Sequence, residues 1–187
     1  MRIIGGTHKG LALASVGKGD TAAHLRPTSD RVRESLFNLL AHSHGDPVEG
    51  ARVLDLFAGT GALGLEALSR GAAQVTLIDD GAKGRALCRE NIEKMRAYGT
   101  TKLYRRDAMR MGVNRGPGFD LVFLDPPYGK GMGERAIDSC VEGGWFAPGT
   151  MIVWEENAPQ LPPDGFELLD RREYGETHIT ILQALDE

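Results

Sequence analysis

From Arg52 onward the chain alternates short apolar runs with stretches of helical periodicity, and this alternation constrains the fold more than any other feature. "RVLDLF" precedes a helical stretch over 61–70, and "QVTLI" precedes one over 83–98 with Gly99 placed to cap it. "TKLYR" and "FDLVFLD" add two strands, a helix over 134–142 leads to "TMIVWEE", and "FELLDRREYGETHITILQAL" reads as two strands turning at Tyr174–Glu176. Strands separated by helices pair in parallel, whereas a tight turn forces an antiparallel pair. The pattern predicts an α/β fold: a doubly wound, mostly parallel seven-stranded sheet with an antiparallel C-terminal strand pair. In such sheets ligands bind beyond the carboxyl ends of the strands, so those ends are where chemistry is expected.

The first 28 residues differ in kind. "RII" and "LALAS" flank the Gly-rich "GGTHKG", which predicts a small N-terminal β-hairpin followed by a loop, an extension on a main domain over 29–187. A helix follows, with Val32, Leu36, Leu39 and Leu40 at helical spacing and Thr28, Ser29 or Asp30 available to cap it. The formal net charge of −4 hides an asymmetry. Residues 1–33 hold six basic groups against two acidic ones, net +4, and the remainder holds 16 against 24, net −8. A basic head on an acidic body fits a polyanion contact or a solvated arm. Cys88 and Cys140 make no metal or redox spacing and read as buried thiols of a reducing compartment. No apolar run is long enough to span a bilayer, and a cytoplasmic chain without membrane contact is expected.

The strand ends carry the candidate chemistry. Phe57-Ala58-Gly59-Thr60-Gly61 and Gly64 match the dinucleotide fingerprint in spelling, yet Asp55 ahead of them puts a negative charge where a pyrophosphate would sit. That charge suits a ligand bearing an ammonium group. Asp79 ends the second strand and can accept from ribose hydroxyls; Asp107, after the third, can accept from an adenine amine. The fourth strand ends in Asp125-Pro126-Pro127-Tyr128. Prolines cannot continue a strand, so they make a stiff turn presenting a carboxylate, a carbonyl and an aromatic face. These groups can hold the two protons of an exocyclic amine and stack its ring.

The set "VLDLFAGTGALGLEA", Asp79, Asp107 and "DPPY", with "RIIGG", "LRPTSDRVRESLFNLL" and "YGETHITIL", resembles the bacterial 16S ribosomal RNA guanine-N2 methyltransferases over nearly the whole chain. These are class I S-adenosylmethionine-dependent enzymes with a Rossmann-like fold. The resemblance implies S-adenosylmethionine at Asp55, Phe57, Ala58, Gly59, Gly61, Asp79, Asp107 and Ala108, and methyl transfer to guanine 966 through Asp125, Pro126 and Tyr128. It implies 16S rRNA, in a partly or fully assembled small subunit, as partner of a monomeric enzyme. His8, Lys9, Arg26, Arg31 and Arg33 are the candidate RNA contacts. Asp79 stands where relatives often carry Glu, and "LALASVG" is less basic than in relatives. Other readings are an amino-methyltransferase acting on DNA adenine N6 or a protein glutamine amide, a dinucleotide oxidoreductase, and a non-catalytic RNA-binding module.

Overall fold

The computed structural model describes residues 1–16 and 28–186; Arg26 and the loop around it lie outside the described residues. Seven strands form one sheet: β1 (Arg52–Leu56), β2 (Gln74–Asp79), β3 (Thr101–Arg105), β4 (Phe119–Leu124), β5 (Phe146–Glu156), β6 (Phe166–Tyr174) and β7 (Thr177–Ala184). Their order is β3-β2-β1-β4-β5-β7-β6. The first five run parallel, and β7 enters antiparallel between β5 and β6. The chain therefore winds outward from β1 through β2 and β3, then returns to start again at β4. This reversal opens a cleft beyond the carboxyl ends of β1 and β4.

Among the described residues four α-helices cover the sheet: α1 (Asp30–Ser43), α2 (Ala62–Ser69), α3 (Ala82–Met95) and α4 (Met132–Gly143). The inner parallel strands β1, β2, β4 and β5 are buried on both faces over most of their length and so are largely apolar, whereas the edge strand β3 is mostly exposed. Val53, Leu77, Phe123, Val153 and Ile181 pack with α1, α2 and α3 on one face. Leu54, Ile78, Leu124, Trp154 and Leu182 pack with α4 on the other. Two glycines permit the closest approaches. A Cβ on Gly64 would lie 2.8 Å from both Val75 and Leu77, so that glycine seats α2 on the sheet. A Cβ on Gly133 would lie 2.5 Å from the Trp154 ring, which α4 covers.

One local expectation is corrected. α3 stops at Met95 rather than continuing to Tyr98, and Arg96 at φ 52° closes it in place of Gly99. The Arg96 N–H turns back to the Glu93 and Ile92 carbonyls, while Ala97 is drawn into the core, so packing overrides the glycine stop signal. α1 keeps Leu36, Phe37 and Leu40 buried, with Ser29 Oγ accepting from the Val32 N–H; its fourth buried residue is Arg33.

The N-terminal hairpin is reduced to a single antiparallel bridge, Arg2 with Ala12, around a 3-10 turn at Gly6–His8. Its apolar residues Ile3 and Leu13 belong to the main core. Polar side chains of the body bind the rest of it. Glu66, fully buried on α2, accepts from the Ile4 and Gly5 N–H groups at 2.9 and 3.0 Å. Ser69 donates to the Gly5 carbonyl and accepts from the His8 N–H. Asn91 on α3 clasps both backbone groups of Ala14 and donates to the Thr60 carbonyl.

Candidate active site

The turn after β1 is the first wall of the cleft. Phe57, Gly59 and Gly61 all take positive φ, 59°, 58° and 80°, which folds the backbone into a tight loop before α2. For Phe57 this left-handed conformation is uncommon and costly, and such strain is held at sites where surrounding bonds over-determine it. Here the bonds are the Ala58 N–H to the Ile78 carbonyl, the Gly61 N–H to the Ala58 carbonyl, and the Cys88 thiol to the Gly59 carbonyl.

Two carboxylates brace this loop. Asp79 Oδ2 accepts from the Gly59 N–H and Oδ1 from the Gly81 N–H, both at 2.8 Å, so one side chain joins the turns after β1 and β2. Gly84 makes room for it, since a Cβ there would lie 2.8 Å from Asp79 Oδ1. Each oxygen retains acceptor capacity for a further donor. Asp55 lies behind the loop, 1% exposed, with Oδ2 accepting from the Gly64 N–H in the first turn of α2. Burial pushes its pKa up to about 8, and the charge of Asp79 adds to the rise. Burial likewise raises Asp79, against the lowering effect of its two N–H donors. A cation in the cleft would relieve both. Beyond β3, Asp107 Oδ1 accepts from the Met109 N–H, and Ala108 is buried against the sheet.

The positive-φ cradle and the carboxylates of Asp79 and Asp107 at successive strand ends, with Asp55 buried behind the loop, fit S-adenosylmethionine by its chemistry. Its ammonium, ribose diol and adenine amine are all donors, and the wall facing them is made of acceptors. A pyrophosphate would meet the same carboxylates as repulsion.

The second wall is the turn after β4. Leu124 pairs with Trp154, so Asp125 emerges from β4 beside Glu155, which is still in β5 and pairs with Ile179 of β7. The Tyr128 hydroxyl donates to Glu155 Oε1 at 3.4 Å, and the Gly129 N–H donates to Glu156 Oε1 at 3.1 Å. Glu155 Oε2 accepts from the Thr28 hydroxyl at 2.7 Å. Pro126 is buried; Asp125 and Tyr128 are half-buried at the cleft. The proline turn is thus tied to the last two residues of β5 and, through Thr28, to the start of α1. Sequence reasoning missed Glu155, Glu156, Thr28 and Gly84 in these roles. The paired glutamates closing an apolar strand in "IVWEE" were the available signal, since strand-end carboxylates sit at the cleft by topology.

The expected basic head is rearranged. Arg33 is fully buried, donating to the Thr28 and Arg2 carbonyls and to Asp30, with Glu66 3.8 Å away. A guanidinium held this way cannot meet a phosphate; it ties the N-terminal strand, α1 and α2 together. His8 Nε2 lies 3.1 Å from the Met95 carbonyl. Lys9 and Arg31 remain exposed, and Arg26 is outside the described residues.

Comparison with known proteins agrees with this geometry. The chain is 37% identical to "Ribosomal RNA small subunit methyltransferase D" of Escherichia coli, across 98% of this chain and 89% of that protein. It is 40% identical to "Putative rRNA methyltransferase YlbH" of Bacillus subtilis, across 97% of each. The solved structure "Putative methyltransferase yhhF from Escherichia coli" superposes with a TM-score of 0.83 at 35% identity, covering 100% of this chain and 99% of that one. The sheet with its antiparallel last strands is the Rossmann-like fold of these methyltransferases. The model of the family described as "Conserved hypothetical protein 95" matches residues 1–183, and the chain belongs to that family.

Proposed function

We propose that the chain is an S-adenosylmethionine-dependent ribosomal RNA methyltransferase that modifies the exocyclic N2 of a guanine in the small subunit, guanine 966 of 16S rRNA. The observation that carries this reading is the placement of two acceptor-rich turns on neighbouring strands. The glycine loop of β1 and the Asp125–Gly129 turn of β4 face one cleft, one suited to the methyl donor and the other to an amine. The relatives named as small-subunit rRNA methyltransferases support the RNA as substrate.

Asp55, Phe57, Ala58, Gly59 and Gly61 would hold the methionine end of the donor, Asp79 the ribose, and Asp107 with the Ala108 N–H the adenine. When bound, S-adenosylmethionine supplies an electrophilic methyl group on sulfur. The chain must do the rest. The target guanine leaves its stack at a cost of a few kcal/mol. Stacking on Tyr128 returns about 1–3 kcal/mol of that. Asp125 and the Pro126 carbonyl accept the two N2 protons, which withdraws the nitrogen lone pair from the ring and directs it into the cleft. Positioning is then the main catalytic contribution. An ordinary carboxylate is a poor base for a neutral amine, but the nitrogen becomes strongly acidic once it is cationic, and Asp125 takes its proton then.

Incubation with methyl-labelled S-adenosylmethionine and unmethylated small subunits, followed by nucleoside mapping, tests the reading. Label in N2-methylguanosine at one position is expected. Label in N6-methyladenosine or in protein sinks it.

A further inference from the structure

The strongest positive patch of the described residues is not at the N-terminus. The sixteen residues from Thr101 to Gly116 hold Lys102, Arg105, Arg106, Arg110 and Arg115 against Asp107 alone, net +4, while the rest of the chain has 17 basic and 25 acidic residues, net −8. Lys102, Arg105, Arg110 and Arg115 are exposed, and none forms an ion pair among the described residues. Surface charges of an acidic protein usually find carboxylate neighbours, so a block left unneutralised on one edge is a local field for an anion.

Position makes this patch useful. β3 is the edge strand of the sheet, and Arg105 pairs in register with Asp79 at the mouth of the cleft. Arg110 follows one turn after Asp107, its N–H bonded to the Asp107 carbonyl. Arg106 is held between the rings of Tyr104 and Trp145, at 5.5 and 5.4 Å, and donates to the Met111 carbonyl. That stack fixes an ordered platform on which Tyr104 stays 37% exposed. Fixed guanidinium groups beside an exposed aromatic face are the means by which proteins follow a phosphate backbone and receive an unstacked base.

Resting on the RNA substrate argued above, we infer that the β3 edge and the loop after it form a second RNA-contact surface, which grips phosphates flanking the nucleotide inserted in the cleft. This surface takes the place of the buried Arg33 in the expected basic head. The contacts are electrostatic, so their signature is salt dependence.

The test is the triple variant Lys102→Ala/Arg105→Ala/Arg110→Ala, with binding of unmethylated small ribosomal subunits measured across a salt series. At low salt its Kd should rise at least roughly tenfold, and the log–log salt slope should lessen by about 2–3, near one counterion per lost contact. S-adenosylmethionine affinity, melting temperature and kcat at saturating RNA should stay at wild-type values. The single charge reversal Lys102→Glu should weaken binding in the same direction. Wild-type Kd and slope in the triple variant overturn the inference and leave a solvated edge. A wild-type protein with no salt-sensitive binding of small subunits overturns the substrate reading as well.

Discussion

The Thr28 hydroxyl donates to Glu155 Oε2 at 2.7 Å, joining residues 127 positions apart. The other oxygen of that carboxylate accepts from Tyr128, so the start of α1 and the turn after β4 share one buried anchor. Glu155→Ala removes the acceptor that orients the Tyr128 ring. Methyl transfer should fall on the order of 10²-fold, as small displacements of a reacting group can cost. S-adenosylmethionine affinity should change little. Glu155→Gln, which keeps an acceptor, should recover part of kcat; equal losses in both variants would refute the positioning role.

Asp125→Ala should lower kcat by about 10²–10⁴-fold, the range of a lost proton acceptor, while calorimetric affinity for S-adenosylmethionine stays close to wild type. Wild-type turnover in this variant would remove Asp125 from the mechanism.

Asp55 gives the ligand-free protein a pH signature. Its pKa is raised to about 8 in the fold, above the usual 3.9 or so of an unfolded chain, so the native state binds the extra proton between these values. The resulting stabilisation is fully present below the unfolded pKa and is lost as pH rises through about 8. Melting temperature should therefore decline from pH 5 to 8.5, and Asp55→Asn should flatten that decline. A cationic ligand should flatten it too and release protons on binding at pH 7, measurable by calorimetry in buffers of different ionisation enthalpy. An identical pH profile for wild type and Asp55→Asn would contradict the assignment.

Arg33→Ala frees the buried Thr28 and Arg2 carbonyls and the Asp30 carboxylate, while Glu66 keeps Arg70 at 2.8 Å. Losing these charge-assisted bonds costs about 1.5–3 kcal/mol, which denaturant unfolding will read as a lower midpoint. The salt slope of RNA binding should not change below the unfolding range. A stable variant with a shallower slope would return Arg33 to the RNA.

The fold class was legible because its signals are local. Period-two and period-3.6 patterns, the glycine turn after β1 and the proline turn after β4 each arise within a few residues, and strand-end topology then places Asp79, Asp107 and Asp125 at one mouth, with Asp55 buried behind the loop of β1. Antiparallel pairing of β6 with β7 follows from their short connection. The insertion of β7 between β5 and β6 does not, because it depends on which edge remains open after β5 is laid down.

Side-chain destination was decided by tertiary structure. Arg33 and Arg31 are two positions apart on one helix, and only packing against α2 decides that one is buried with Glu66 while the other faces solvent. Glu155 and Glu156 read as the polar end of a strand until the turn after β4 and the start of α1 fold onto them. α3 ends at Arg96 because Ala97 is drawn into the core, three residues short of a glycine that would have served. Sequence by itself determined which backbone turns exist and which strand ends they follow, since those depend on neighbours along the chain. Which charges reach solvent and which brace the cleft depended on residues up to 127 positions away, and that information exists only once the sheet has formed.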